Sequence, residues 1–134
     1  MNTLRMIKLM LCLFLALAAG CGGESALNPA FQPQVSNLPD NFQFQSTGVT
    51  GVTETLPYTW QNTGTVANVN QATTVTAGSA TLTIRDAAGT QVYSRNLADN
   101  GTFPTNAGTT GAWTIQIVLA NMNGTINFRV QKKT

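Results

Sequence analysis

The groups that could do acid, base or nucleophilic chemistry are few. The chain has no histidine, which removes the commonest general base and metal ligand, and with it Ser–His–Asp, Cys–His and histidine–zinc sites. Beyond the N-terminal segment the acids of the part expected to fold are Asp40, Glu54, Asp86 and Asp99, and a paired-carboxylate hydrolase needs two of them to converge on one bond. Asp86 opens the run Asp86-Ala87-Ala88-Gly89 and Asp99 the run Asp99-Asn100-Gly101. These are turn contexts, where Asp is favoured for hydrogen bonds to its own backbone. The same two loops could supply oxygen ligands to calcium, which takes about six to eight, but no spaced acidic motif accompanies them. No G-x-S-x-G, P-loop or dinucleotide fingerprint occurs. The expectation is a protein that is not an enzyme and needs no cofactor.

Aromatic side chains are the next candidates. Tyr58, Trp60, Tyr93 and Trp113 could build a sugar-stacking or peptide-docking surface if they project outward. Trp60 shares parity with Leu56 and Tyr58, and Trp113 with Ile115 and Ile117, which favours the core for both tryptophans. Tyr93 is the better surface candidate, because its apolar neighbour Val92 has the opposite parity; Trp60 is the second. A carbohydrate-binding module using these residues is therefore the alternative to a protein-binding or structural role. The terminal Arg129, Lys132 and Lys133 read as a solvated chain end rather than a lipid-binding patch.

Cys21 is the one remaining reactive group. Arg5 and Lys8 precede an unbroken apolar run from Leu9 to Ala19, and Leu17-Ala18-Ala19-Gly20 then leads into Cys21. A basic segment, a short apolar segment and small residues before a cleavage point make an export signal, too short for the roughly 20 apolar residues of a spanning helix. The segment resembles the lipobox of bacterial lipoproteins, with Ala18 where that family favours Leu. The resemblance implies cleavage before Cys21 and lipid on its thiol, holding the protein to a membrane. Gly22 follows the cysteine in place of the Asp of an inner-membrane retention signal, so the outer membrane is expected if the host has two. The other cysteine, Cys12, lies inside the apolar run, which rules out a disulfide within the processed chain.

Removing residues 1–20 leaves 114 residues, the size of one domain. Arg5 and Lys8 leave with the signal, and the remaining Arg85, Arg95, Arg129, Lys132 and Lys133 balance Glu24, Asp40, Glu54, Asp86 and Asp99. So balanced a chain lacks the cationic surface that nucleic-acid binding needs. Residues 21–40, with Pro29, Pro33 and Pro39 among polar residues, read as a flexible tether. The expected partners are the membrane, through lipid, and an envelope protein or glycan.

From 41 to 134 the dominant pattern is alternation with period two. Trp113, Ile115, Ile117 and Leu119 share one face, and Ile126, Phe128 and Val130 another, with Asn123-Gly124 between them read as a hairpin turn. Leu82 and Ile84 alternate with Thr81, Thr83 and Arg85, and the turn Asp86–Gly89 leads to a second strand through Tyr93. Phe42 and Phe44, then Leu56, Tyr58 and Trp60, and a Thr/Val-rich stretch from Thr65 to Thr76 supply further strands. About seven strands predict an all-β fold, a single antiparallel β-sandwich of immunoglobulin-like or jelly-roll type. Between Thr81 and Val130, the turn at Asp86–Gly89, the strand Gly111-Ala112-Trp113-Thr114-Ile115 and the terminal strand pair resemble the β-sandwich modules of secreted peptidases, the pre-peptidase C-terminal and P-domain types. That resemblance implies a fold and no chemistry.

Overall fold

The computed structural model describes residues 31–134. The described residues form one antiparallel sheet of seven strands: β1 (Gln34–Leu38), β2 (Asn41–Asn62), β3 (Ala67–Gln71), β4 (Thr74–Arg85), β5 (Gln91–Asn96), β6 (Gly101–Pro104) and β7 (Gly111–Lys132). The hydrogen-bonded order is β1-β2-β7-β3-β6, with β4 branching from β7 and β5 from β4. The all-β antiparallel expectation holds.

Two strands, β2 and β7, are each 22 residues long, several times the usual strand length. Their partners change halfway. The first half of β2 (residues 41–46) pairs with β1 and with residues 126–131 of β7, and the latter also pair with β3. The second half of β2 (residues 54–62) pairs with residues 111–119 of β7, which also pair with β4. Two layers result, and β2 and β7 run through both.

The strands bend where the layers meet. Pairing slips between Ser46 and Glu54 in β2 and between Val75 and Ser79 in β4. Gly48, Gly51 and Gly78 there have φ of 64°, 59° and 71°, and Asn121 in β7 has 45°. Such bulges kink a strand and increase its twist. The outcome is visible in the core. Phe42 and Tyr58 lie on the same strand, roughly 53 Å apart if it were straight at 3.3 Å per residue, yet their ring centroids are 5.4 Å apart. Phe44 packs on Tyr58 at 6.0 Å and on Phe128 at 5.5 Å. β2 has therefore doubled back, and the inner faces of the two layers meet in one core that includes Trp60, Trp113, Leu82, Ile84, Ile115, Ile117 and Val130.

Two expectations are corrected here. Asn123-Gly124 is not a hairpin turn, because β7 continues through it from Gly111 to Lys132. Gly124, at φ 137°, lies against the Thr74 carbonyl, where any Cβ would collide with backbone. The glycine serves a close strand approach rather than a reversal. The stretch 21–40 is not all tether either. Phe31 is fully buried, and Gln34–Leu38 pair with Asn41–Gln45 through the turn at Pro39-Asp40. Asp40 accepts its φ of 64° because Asp tolerates the left-handed region better than most residues.

Candidate functional site

Cys21, the expected lipidation site, lies outside the described residues. The other candidates are inside, and the fold uses them for itself.

Trp60 is 0% exposed and Tyr93 7%, so neither offers a stacking surface. Trp60 follows its parity into the core and meets Trp113 edge-on at 6.0 Å, while its indole N–H donates to the Leu38 carbonyl at 3.0 Å. Tyr93 departs from simple alternation for a local reason. Ile84 pairs with Tyr93 and Arg85 with Gln91, which leaves Val92 as an extra residue in a bulge. Both Val92 and Tyr93 therefore turn inward. The Tyr93 hydroxyl donates to Gln71 Oε1 at 2.6 Å, and burial pushes its pKa up to about 12. Gln71 Nε2 in turn donates to the carbonyls of Asn96 at 3.0 Å and Asp99 at 2.8 Å. This buried pair fastens the β5–β6 loop to β3.

Asp86 and Asp99 are not brought together. They lie beyond opposite ends of the six-residue β5, a span of roughly 20 Å. The backbone N–H groups of Ala88 and Thr90 donate to Asp86 Oδ1 at 3.0 and 2.8 Å, and that of Thr109 donates to Oδ2 at 2.8 Å. The Thr109 bond is the chief reason the Asp86 carboxyl titrates below its ordinary range. Both oxygens thus hold the β4–β5 turn and the segment before β7 in place. Asp99 faces Arg95 at 3.9 Å. Among the described residues no group of three potential ligands is placed to hold a metal, and the calcium reading of these two loops lacks a converging donor set.

Asp40 is spent in the same way. The Thr63 backbone N–H and hydroxyl each donate to it at 2.8 Å, and Lys132 Nζ stands 3.2 Å from Oδ2. The Thr63 backbone bond comes first among the causes that lower its pKa.

What the sheet offers outward is a surface assembled by cross-strand pairing. On the first layer, Ser36, Gln43, Arg129, Asn70 and Thr102 line up across five strands. Leu38, Asn41, Gln131, Asn68 and Pro104 form the next row, and Gln34, Gln45 and Asn127 a third. Asn70 Nδ2 donates to Thr102 Oγ1 at 2.8 Å. Primary amides dominate this face, and Arg129 is the single charge in the three rows. The second layer's outer face is hydroxyl-rich instead: Thr55, Val118, Thr81 and Asn96 in one row, Pro57, Gln116, Thr83 and Ser94 in the next.

An amide offers both a donor and an acceptor, so the first face suits an uncharged partner rich in hydrogen-bonding groups, such as polypeptide backbone or glycan. Two open cavities of about 230 and 220 Å³ lie at its β1 border, the first lined by Gln34, Val35, Ser36, Gln43 and Gln45, the second by Gln32, Gln34, Gln45, Ser46 and Thr47. Sequence reasoning placed specificity in the Thr-, Asn- and Gly-rich loops, or alternatively in Tyr93 and Trp60, and missed this face. The signal was present in the polar members of each alternation, Gln43 with Gln45, Asn68 with Asn70, and Asn127 with Gln131, but only pairing shows that they share one surface.

No family model matches the chain, and no curated protein matches it. Among solved structures, similarity is found to a chain in the crystal structure of accessory secretory protein 1, 2 and 3 in Streptococcus pneumoniae, at 11% identity and a TM-score of 0.40, covering 84% of this chain and 93% of that one. The glycosylation-associated protein (Gap123) complex from Streptococcus agalactiae gives 10% identity and a TM-score of 0.43, covering 84% of this chain and 43% of that one. A chain of infectious bursal disease virus, Gt strain, gives 18% identity and a TM-score of 0.29 over 79% and 35%. None of these distant likenesses bears on what the chain does.

Proposed function

We propose that this chain is a lipid-anchored protein of the bacterial cell envelope, held through Cys21, whose folded part has a non-enzymatic binding or structural role. The observation that carries the role is the division of labour among polar groups. Asp40 and Asp86 are committed to backbone N–H donors, while the outward positions of the first layer form a continuous amide face. That face, rather than exposed aromatics, is the ligand surface in this reading, and its partner is an envelope protein or glycan.

Support for the anchor comes from the signal-like segment up to Gly20. Phe31 is already buried in the core, so the chain between Cys21 and Phe31 reaches at most about 35 Å. The domain would stay close to its membrane.

Intact-mass spectrometry of the protein from membrane and soluble fractions, beside a Cys21→Ser variant, tests the anchor. The expected result is a chain beginning at Cys21 with a diacylglyceryl increment that the variant lacks. A soluble wild type without lipid would refute it. Turnover of an envelope substrate that is abolished by Asp86→Asn, in a variant that still folds, would refute the non-enzymatic role.

A further inference from the structure

The free borders of the folded sheet are not alike. The second half of β2 is interrupted by Pro57 and carries Glu54, and its border is covered by residues 37–40. There Asn37 Nδ2 donates to the Thr59 carbonyl and the Asp40 N–H to the Gln61 carbonyl. On β5, Arg95 brings a charge and the Asn106 N–H bonds the Val92 carbonyl. β6 is four residues long and ends in Pro104. Charge, proline, shortness and covering segments are the usual means of keeping an edge strand from pairing with another chain.

β1 shares the shortness and flanking prolines of β6, but among the described residues neither a charge nor a covering segment guards its outer border. Among the described residues it pairs with β2 alone, and from Gln32 to Pro39 there is no charged residue. Val35 and Leu38, 39% and 57% exposed, are two of the three exposed large apolar side chains among the described residues. Pro33 and Pro39 bracket its five residues, and so limit any added strand to that length.

We propose that β1 is the docking edge for a second copy of this chain, the two β1 strands pairing antiparallel about Ser36. In that register Ser36 meets its own counterpart, Val35 meets Asn37 and Gln34 meets Leu38, so no like charges oppose each other. Net charge offers no barrier, because the cations and acids after residue 20 are equal in number. The connection to Cys21 fits as well. The two strands start roughly 13 Å apart, and a lead of up to about 35 Å on each lets both copies reach one membrane.

Five paired residues bury less than the roughly 1,200 Å² of a stable complex, so the pair forms where anchoring raises the effective concentration. This last step rests on the lipid anchor proposed above; the edge geometry does not.

The test is crosslinking in membranes from cells producing the full chain. Ser36→Cys puts two thiols directly opposite each other, within disulfide reach. Gln34→Cys leaves them roughly 13 Å apart along the strands, and Thr83→Cys lies on the other layer. Oxidation is expected to give a disulfide dimer with Ser36→Cys and not with the other two. Adding Leu38→Lys, at a position exposed enough to leave folding intact, should abolish it. Equal crosslinking of the three variants, none with Ser36→Cys, or survival of the dimer with Leu38→Lys would overturn the proposal. If the mass experiment shows an unanchored, soluble protein, the same variants at about 1 mM, a typical effective concentration for a short tether, decide the edge. In that arm any native cysteine is changed to serine, and no Ser36→Cys dimer would overturn the pairing even though the anchor had failed separately.

Discussion

Replacing Gln71 with leucine is expected to cost far more than its place on a short strand suggests. Gln71 is 2% exposed, and its amide holds the Tyr93 hydroxyl and the carbonyls of Asn96 and Asp99. Gln71→Leu strips a partner from all three, and at about 1 kcal/mol for each the loss is about 3 kcal/mol. For a domain of this size that lowers Tm by on the order of 12 °C or more. Tyr93→Phe alone leaves only Gln71 Oε1 unpaired, at about 1–2 kcal/mol. With leucine already at 71 the tyrosine hydroxyl has no partner to lose, so adding Tyr93→Phe should cost close to nothing. The double-mutant cycle, measured by urea unfolding with tryptophan emission and far-UV circular dichroism, should thus show a coupling of about 1–2 kcal/mol. Additive single effects would refute the buried pair as described. The same pair sets an alkaline limit. Tyr93 ionises near 12 in the fold and near 10 when unfolded, so its contribution is complete below 10 and disappears as pH rises through 12. Tyr93→Phe should flatten stability across that window.

Gly78→Ala and Gly124→Ala, whose new Cβ atoms would meet the backbone at Ala120–Asn121 and at Thr74, should each destabilise by about 3 kcal/mol or more. Gly48→Ala and Gly51→Ala, at positive φ close to that of Gly78 but with open space around them, should cost only about 1–2 kcal/mol; equal losses in the two pairs would sink the close-approach argument. Because the Asp40 and Asp86 carboxyls titrate below their ordinary range, their stabilisation is present above the unfolded carboxylate pKa and is lost as pH falls through the folded values. Asp86→Asn should accordingly reduce the slope of stability against pH below about 4, and an unchanged acid profile would contradict the assignment. With Trp60 and Trp113 both 0% exposed, emission should be blue-shifted and resist acrylamide quenching until the fold melts; easy quenching in the native state would count against the packing.

The strands were legible wherever alternation ran undisturbed, as in Phe42 with Phe44 or Trp113 through Leu119. What escaped were the places where a bulge breaks the period. Val92 and Tyr93 are neighbours that both point inward, and only the slip between Ile84 and Arg85 explains this. Asn123-Gly124 carries the composition of a two-residue turn, but a turn and a bulge both need residues that accept positive φ, and the choice depends on which strands lie alongside. β1 was hidden by its flanking prolines, since a five-residue edge strand with no buried side chain leaves no hydrophobic period. For the candidate site, the structural duty of Asp86 was readable from its turn context. The amide face was not, because it is made by register between distant segments.

The order in which the strands emerge during synthesis gives β7 a particular weight. It is the last strand, and β2, β3 and β4 all pair with it, so neither layer can close until the C-terminus has emerged. If the chain is exported as proposed above, this topology keeps it unfolded while it is threaded and commits it to its structure only at the end. No early half exists that could fold prematurely and jam the passage. The corresponding cost is a long exposure of β-prone, Thr- and Asn-rich segments of low charge, which makes the wait for β7 the stage most open to pairing between chains.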